Sequence, residues 1–454
     1  MMKKVPVILI FDIGKTNKKL FLFSRQYKML HEETIQLEES NDEDGFPCEN
    51  IELLSNWVLN RYQHWNSSDV YQIIAVNFSA YGASFALLNK EGKPCLPLYN
   101  YLKPFPEELH QPFYEQYGGE EKFALDTASP LLGNLNSGLQ LYRLSQKHPS
   151  DFKMVKYALH LPQYISYLVS RKMVSDMTSL GCHTALWDFT KNKYHDWVLR
   201  EGIAEKLQPI QPSDACILHG ESNIPVGMGL HDSSAALIPY LKTINEPFVL
   251  VSTGTWCISL NPFNDRPLTV SELKQDCLFY FSYQGRRVKA SRLFAGHEHE
   301  MQVKRLLEHF QIKEDFHKSI QFDYDIINKL TADMLNDKDD FNPHHFIFST
   351  RNLQEYSTFK VAYHQLMLDL VAMQVRSIQL VIQDTNVKSI YVDGGFSHNN
   401  IFMQLLSNSF PSFNVYAAAV PQASAMGAAV VIHEHWNESA IPIDIVQCKQ
   451  ILPL

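Results

Sequence analysis

Two aspartates stand where apolar runs give way to small, hydroxyl-rich segments: Asp12 in FDIGKTNKKLFLF (residues 11–23) and Asp232 in GLHDSSAAL (residues 229–237). A carboxylate ending a buried strand, beside Gly14 and Thr16, can hold Mg2+ directly or through water. Asp232 leads a run of Ser and Ala where a helix starts and a ligand can come close. A helix N-terminus favours ionised Asp, the state required of a base that takes a proton from a hydroxyl. The plain structural alternatives are a turn-forming Asp at 12 and a helix N-cap at 232, and the N-cap is at least as common for such a motif alone. What favours chemistry is company: Asp12 and Thr16 in one turn, Thr253-Gly254-Thr255 in another.

The second turn lies in VLVSTGTWCISL (residues 249–260). Both segments read as strand, tight turn of Gly and Thr, strand. Such turns direct backbone N–H groups and hydroxyls at one point, which suits phosphate oxygens. Two of them, one in each half of the chain, imply a nucleotide clamped between domains, with Lys15, Lys18 and Lys19 as local positive charge. The first is not a Walker A loop, because position 9 is Leu where that motif needs Gly, and a strand-like LFLF follows instead of a helix. GMGLHD (residues 227–232) lacks the third Gly of a dinucleotide fingerprint. A further element is SIYVDGGFSHNNIFMQLLSN (residues 389–408), where Gly394-Gly395 admits a flat ligand and Ser397 or Asn399 caps the next helix. Such a loop suits adenosine or ribose, or is a structural β-α turn. PQASAMGAAVVI (residues 421–432) packs small residues into a helix, consistent with close backbone approach.

These segments need strands and helices to position them. Strand-like runs fall at 73–76, 84–88, 248–251 and 389–392, with helical stretches at 51–63, 163–169 and 356–383. The alternation indicates α/β architecture. The 356–383 segment carries apolar residues on two faces, as a helix held between layers would. A chain of 454 residues is long for one core, and two domains follow, 1–244 and 245–454, joined through the polar link 242–246.

The net charge of −9 argues against a nucleic-acid or anionic-membrane partner. The apolar run after MMKK ends at Asp12 without a cleavage site, so it reads as a first strand and not a signal peptide. No stretch approaches the ~18 apolar residues of a membrane span. The seven cysteines are scattered without a Cys-x-x-Cys pair, as expected of reduced cytoplasmic thiols. His297-Glu298-His299-Glu300 does not have metalloprotease spacing, and His344-His345 and His433-Glu434-His435 read as surface or capping residues. The acidic run Glu38, Glu39, Asp42, Glu43, Asp44 reads as a solvated loop.

Taken in order, these residues resemble the FGGY family of carbohydrate kinases, of the actin/Hsp70/sugar-kinase superfamily, over essentially the whole chain. DIGKTNKK is similar to its first phosphate motif, STGTW to its second, VDGGFSHNNIFMQLL to its adenosine motif, and GLHDSSAAL to the segment bearing its catalytic Asp. The resemblance implies two ribonuclease-H-like domains with an interdomain active-site cleft, and ATP and Mg2+ as cofactors. It implies Asp12 at the Mg2+–phosphate site, with Thr16, Asn17 and Lys19 about the phosphates and Thr253, Gly254 and Thr255 facing the terminal phosphates. Gly394, Gly395 and Asn399 would border the adenosine, and Asp232 would be the general base.

Thr255-Trp256 and His231-Asp232 resemble the L-fuculokinase and L-rhamnulokinase branch. SAYGASFALL (residues 79–88) resembles its sugar-site strand, with Tyr81 and Gly82 in place, and residues 175–188 a segment near its sugar pocket. Ser84 stands where that branch carries Asp, Lys15 replaces a small residue, and Gln422 stands for Glu. The implied substrate-binding residues are thus Tyr81, Gly82, Ser84, His231 and Asp232. The implied reaction is transfer of the γ-phosphate of ATP to a ketose, a 6-deoxyketohexose such as L-fuculose or L-rhamnulose at O1. Alternatives are a xylulose or ribulose kinase, or a non-catalytic ATP-binding sugar sensor. A small-molecule ketose is the expected partner, a homodimer is the assembly to test, and the cytoplasm is the expected location.

Overall fold

A computed structural model describes residues 4–220, 223–330 and 341–454. They fall into two compact units. One comprises Met1–Thr243, Phe279–Arg287 and Pro421–Ile445; the other comprises Ile244–Leu278, Val288–Val420 and Val446–Leu454.

In the first unit, β1 (Val5–Ile13) is almost wholly apolar because it lies inside a sheet covered on both faces, with residues 7–11 fully buried. It pairs antiparallel with β2 (Lys18–Ser24), which pairs antiparallel with β3 (Met29–Ile35). On its other side runs β4 (Tyr71–Ala80), parallel. A separate ladder joins β5 (Phe85–Leu88) to β6 (Tyr157–His160). The main sheet is completed by the hairpin of β7 (Cys216–His219) and β8 (Ile224–Gly227), and by β9 (Leu230–His231), also parallel to β4. Leu54 and Val58 of α1 (Ile51–Asn66) and Ile165 and Val169 of α2 (Leu161–Ser170) pack with Leu9, Phe11 and Val76 in one apolar core. The helix α3 (Asp232–Thr243) crosses the Ala423–Val431 helix so closely that a Cβ on Gly427 would lie 1.8 Å from the Ala235 carbonyl oxygen.

The registers set the site. Asp12 lies opposite Ser79 and Ile13 opposite Ala80; Ser79 in turn lies opposite Leu230 and Ala80 opposite His231. Three parallel strands therefore end together, where open α/β sheets bind ligands.

The second unit repeats the pattern. β10 (Phe248–Thr253) pairs antiparallel with β11 (Cys257–Asn261), which pairs antiparallel with β12 (Arg287–Leu293). Across β10 lies β13 (Ser389–Gly394), parallel, followed by β14 (Asn414–Ala419) and β15 (Gln447–Ile451). The helices that matter are α4 (Ala295–Phe310), α5 (Phe359–Ile382) and α6 (Asn400–Ser409). Thr358 caps α5 through the Val361 N–H, and both of its apolar rows are buried, Val375 only partly. Contrary to the sequence expectation, α5 is long and apolar enough to cross a membrane by composition, but 67% of that window is buried.

Two surface expectations are corrected. His433 is buried, its Nδ1 2.6 Å from the Tyr27 hydroxyl, because the residues after the Ala423–Val431 helix turn inward against Tyr27 and Trp436. Asp42, in the acidic run, is buried as well, its carboxylate held by Lys103 Nζ at 2.6 Å.

Candidate active site

Asp12 leaves β1 directly opposite Lys19 of β2. Its Oδ2 accepts a hydrogen bond from Ser424 Oγ at 2.8 Å. Burial, and next to it the nearby Asp232 carboxylate, push the Asp12 carboxyl up to about 6, against the pull of Ser424, Ser79 and Lys19. Lys19 Nζ donates to Gln422 Oε1 at 3.2 Å and lies 3.7 Å from Glu32. The first turn closes through Gly14 N–H to the Asn17 carbonyl at 2.9 Å. Thr16 is exposed at its tip, and Asn17 Oδ1 accepts from Gln36.

The three lysines of this turn part company. Lys18 is buried and donates to Glu49 at 2.8 Å, Lys15 pairs with Glu39, and Lys19 alone stays beside Asp12. The strand alternation explains this, since Lys18 and Lys19 must point to opposite faces.

Asp232 is not used as an ordinary helix cap. Its Oδ1 accepts from the adjacent Ser233 N–H at 2.6 Å and from Ser233 Oγ at 3.2 Å, with His231 Nε2 at 3.2 Å. Its Oδ2 carries no hydrogen bond among the described residues, and the side chain is 37% exposed. His231 is buried, which holds its imidazole below the usual value, and Nε2 also lies 2.9 Å from Cys182 Sγ. Gly82 is required here: a Cβ would lie 2.8 Å from both Cys182 Sγ and a His231 ring carbon. The segment 175–188 supports this wall, with Thr178 Oγ1 accepting from the His231 N–H at 3.0 Å. Tyr81 is buried and donates to Glu49 Oε2 at 3.3 Å, and Tyr101 lies near both Tyr81 and Asp232. Ser84 is buried close to the Tyr81 hydroxyl.

In the second unit the Thr253 hydroxyl is spent on structure. It donates to the Asp393 carbonyl at 2.5 Å and accepts from the Phe396 N–H at 3.0 Å, tying β10 to the turn after β13. Gly254 and Thr255 are left exposed at the hairpin tip. Gly394 has φ +88°, and a Cβ there would lie 1.9 Å from the Thr253 carbonyl oxygen. Gly395 is different, since a Cβ would meet nothing within 4 Å. Its bareness faces a cavity of about 600 Å³, lined also by Thr253, Gly254, His299, Phe396 and Asn399. Asn399, not Ser397, caps α6, accepting from Phe402 N–H at 3.0 Å while its amide donates to Tyr363 at 2.9 Å.

Sequence reasoning missed His299, which was set aside for its spacing. Burial and the neighbouring His317 hold its imidazole down to about 4. It also missed Glu49 and Tyr101, whose partners lie far along the chain, and it read Lys18 as charge for phosphates where Lys18 is buried against Glu49.

Within the first unit, Asp12, raised by burial and by a second carboxylate, gains from an adjacent cation, which fits Mg2+. Within the second unit, the cavity offers bare backbone at Gly254 and Gly395, which fits a nucleotide.

Residues 7–238 match the N-terminal domain of the FGGY family of carbohydrate kinases, and residues 245–440 match the carbohydrate kinase FGGY C-terminal domain. The chain belongs to the FGGY family and is an ATP- and Mg2+-dependent carbohydrate kinase with two ribonuclease-H-like domains. A rhamnulokinase from Halalkalibacterium halodurans is 22% identical, over 91% of this chain and 88% of the relative. A carbohydrate kinase structure from Novosphingobium aromaticivorans has TM-score 0.80 at 22% identity, covering 100% of this chain and 95% of the other. A xylulose kinase structure from Lactobacillus acidophilus has TM-score 0.79 at 15% identity, covering 99% and 94%.

Proposed function

We propose that this kinase phosphorylates O1 of a 6-deoxyketohexose, L-rhamnulose or L-fuculose, with Asp232 as the base. The observation that carries the reading is the Asp232 carboxylate: one oxygen oriented by Ser233, the other open, at the common end of three strands. The full-length likeness to a rhamnulokinase supports the sugar class.

In this reading the first domain, 1–244, holds the sugar and the second, 245–454, holds ATP. Asp232 Oδ2 takes the proton of the ketose hydroxyl as its oxygen bonds to the γ-phosphorus and the bond to the ADP oxygen breaks. His231 and Ser233 keep the carboxylate aimed, and Tyr81, Gly82 and Ser84 form the sugar wall. Thr16, Asn17, Lys19, Gly254 and Thr255 approach the phosphates, while Gly394, Gly395 and Asn399 border adenosine. Mg2+, when bound beside Asp12, supplies positive charge to the phosphate oxygens.

The test is ADP release across a panel of L-rhamnulose, L-fuculose, xylulose and ribulose, followed by locating the phosphate on the product. Preference for a 6-deoxyketose with phosphate on O1 supports the proposal. Preference for a pentulose replaces the sugar, and no response to any sugar points to a sensor.

A further inference from the structure

We propose that His160 is a sugar-binding and specificity-determining residue of this kinase, taking hydroxyl groups of the acceptor through its ring nitrogens. The proposal rests on the first domain holding the acceptor, whatever that acceptor is.

His160 ends β6 and precedes α2, where an ordinary role would be to cap the helix. Its side chain makes no cap hydrogen bond. It is 7% exposed, yet neither Nδ1 nor Nε2 has a hydrogen-bond partner among the described residues. Its ring packs against Phe85, at 4.3 Å between centroids. A leucine or phenylalanine would supply that contact without burying two polar atoms. A neutral imidazole offers one donor and one acceptor, and leaving both unmet in the interior is costly.

The fold brings these atoms to the site already described. Phe85 and His160 are register partners, and the Leu161 N–H donates to the Ser84 carbonyl at 3.1 Å. The start of α2 is locked onto the strand that leads to His231: Gln163 donates to the Gly229 carbonyl at 2.8 Å and Ser166 to the Gly227 carbonyl at 2.7 Å. A Cβ on Gly229 would lie 2.4 Å from the Pro162 carbonyl, so the two segments touch backbone to backbone. His160 and His231 are close enough to influence each other electrostatically. His231 Nδ1 is likewise buried and unpartnered among the described residues. Three polar atoms on two segments, both ring nitrogens of His160 and Nδ1 of His231, thus await hydrogen bonds. A polyol meets such a set well, because each hydroxyl both donates and accepts.

The test uses the full-length enzyme and the acceptor that the wild type phosphorylates best among ketoses, polyols and aldonates. With His160→Leu, the KM for that acceptor should rise at least about tenfold, as expected for loss of hydrogen bonds to a buried ligand. The KM for ATP should stay within about twofold, and His160→Gln should recover part of the loss. One deoxy analogue of the acceptor should be penalised by the wild type and not by His160→Leu. An unchanged acceptor KM in folded His160→Leu, or equal penalties for all analogues in both enzymes, overturns the proposal. If His160→Leu does not fold, His160→Gln and the analogue series decide: with only part of the hydrogen bonding restored, the analogue penalty of the wild type should shrink in His160→Gln, and an undiminished penalty overturns the proposal. Failure of the deoxyketose reading looks different, appearing in the wild type alone as a different best acceptor.

Discussion

The two strand–turn–strand hairpins share a topology and divide in chemistry. Each pairs a leading strand antiparallel with its successor and parallel with a later strand across it. In the first hairpin the chemistry sits in side chains at the strand ends, Asp12 facing Lys19, and the turn is anchored by the buried Lys18–Glu49 pair. In the second, Thr253 is consumed as the anchor, and what remains for a ligand is bare backbone at Gly254 and the open face of Gly395. The same turn can therefore become a charged site or a neutral cradle. The anchoring polar group is an ion pair in the first and a hydroxyl in the second.

The largest effect is expected at the Asp232 carboxylate of the first half. Asp232→Asn should lower turnover about 10²–10⁴-fold, the range of a general base, with the KM for ATP changed little. Steady-state kinetics with the best acceptor decides it, and retained turnover removes Asp232 as the base.

Next come the two anchors. Lys18→Met leaves Glu49 buried and uncompensated beside Tyr81, which should cost about 3–5 kcal/mol. Adding Glu49→Leu should restore most of it, read as the midpoint of urea unfolding. Thr253→Val removes an uncharged anchor and leaves the Phe396 N–H without its acceptor. Its loss should be smaller, about 1–3 kcal/mol, with a raised KM for ATP. Equal losses for the two variants would erase the contrast drawn between the hairpins.

The last test is pH dependence. His299 is held down to about 4 in the folded protein, against 6.5 for an ordinary imidazole. Between these values the unfolded chain binds a proton that the folded chain refuses, so this residue's contribution to stability falls as pH drops from 6.5 towards 4. Thermal midpoints measured across that window should decline less steeply in His299→Gln than in wild type. Parallel curves would show that His299 is not the group responsible.

Much was legible in the residues because the elements proposed for catalysis and phosphate binding are local. Asp12 with Gly14, Asp232 with Ser233, and Thr253-Gly254 each place a polar group and a tight backbone within a few positions, and the apolar runs before Asp12 and Thr253 read as strands. The two apolar rows of α5 likewise announced a helix between layers. The roles within those elements were less legible. Nothing local says that Thr253 would spend its hydroxyl on residues 393 and 396, or that Lys18 would turn inward while Lys19 stayed by Asp12.

The sequence by itself determined the duplicated hairpins, the order of the motifs and the family, since these depend on short-range patterns of apolar, glycine and hydroxyl residues. Only the tertiary structure decided which polar groups remain available. It aligned Asp12 with Ser79 and His231 with Ala80 through strand register, and through the α2 contacts it brought His160 near His231. The physical reason is that a buried polar group acquires its role from its partners, and those partners lie tens to hundreds of residues away along the chain.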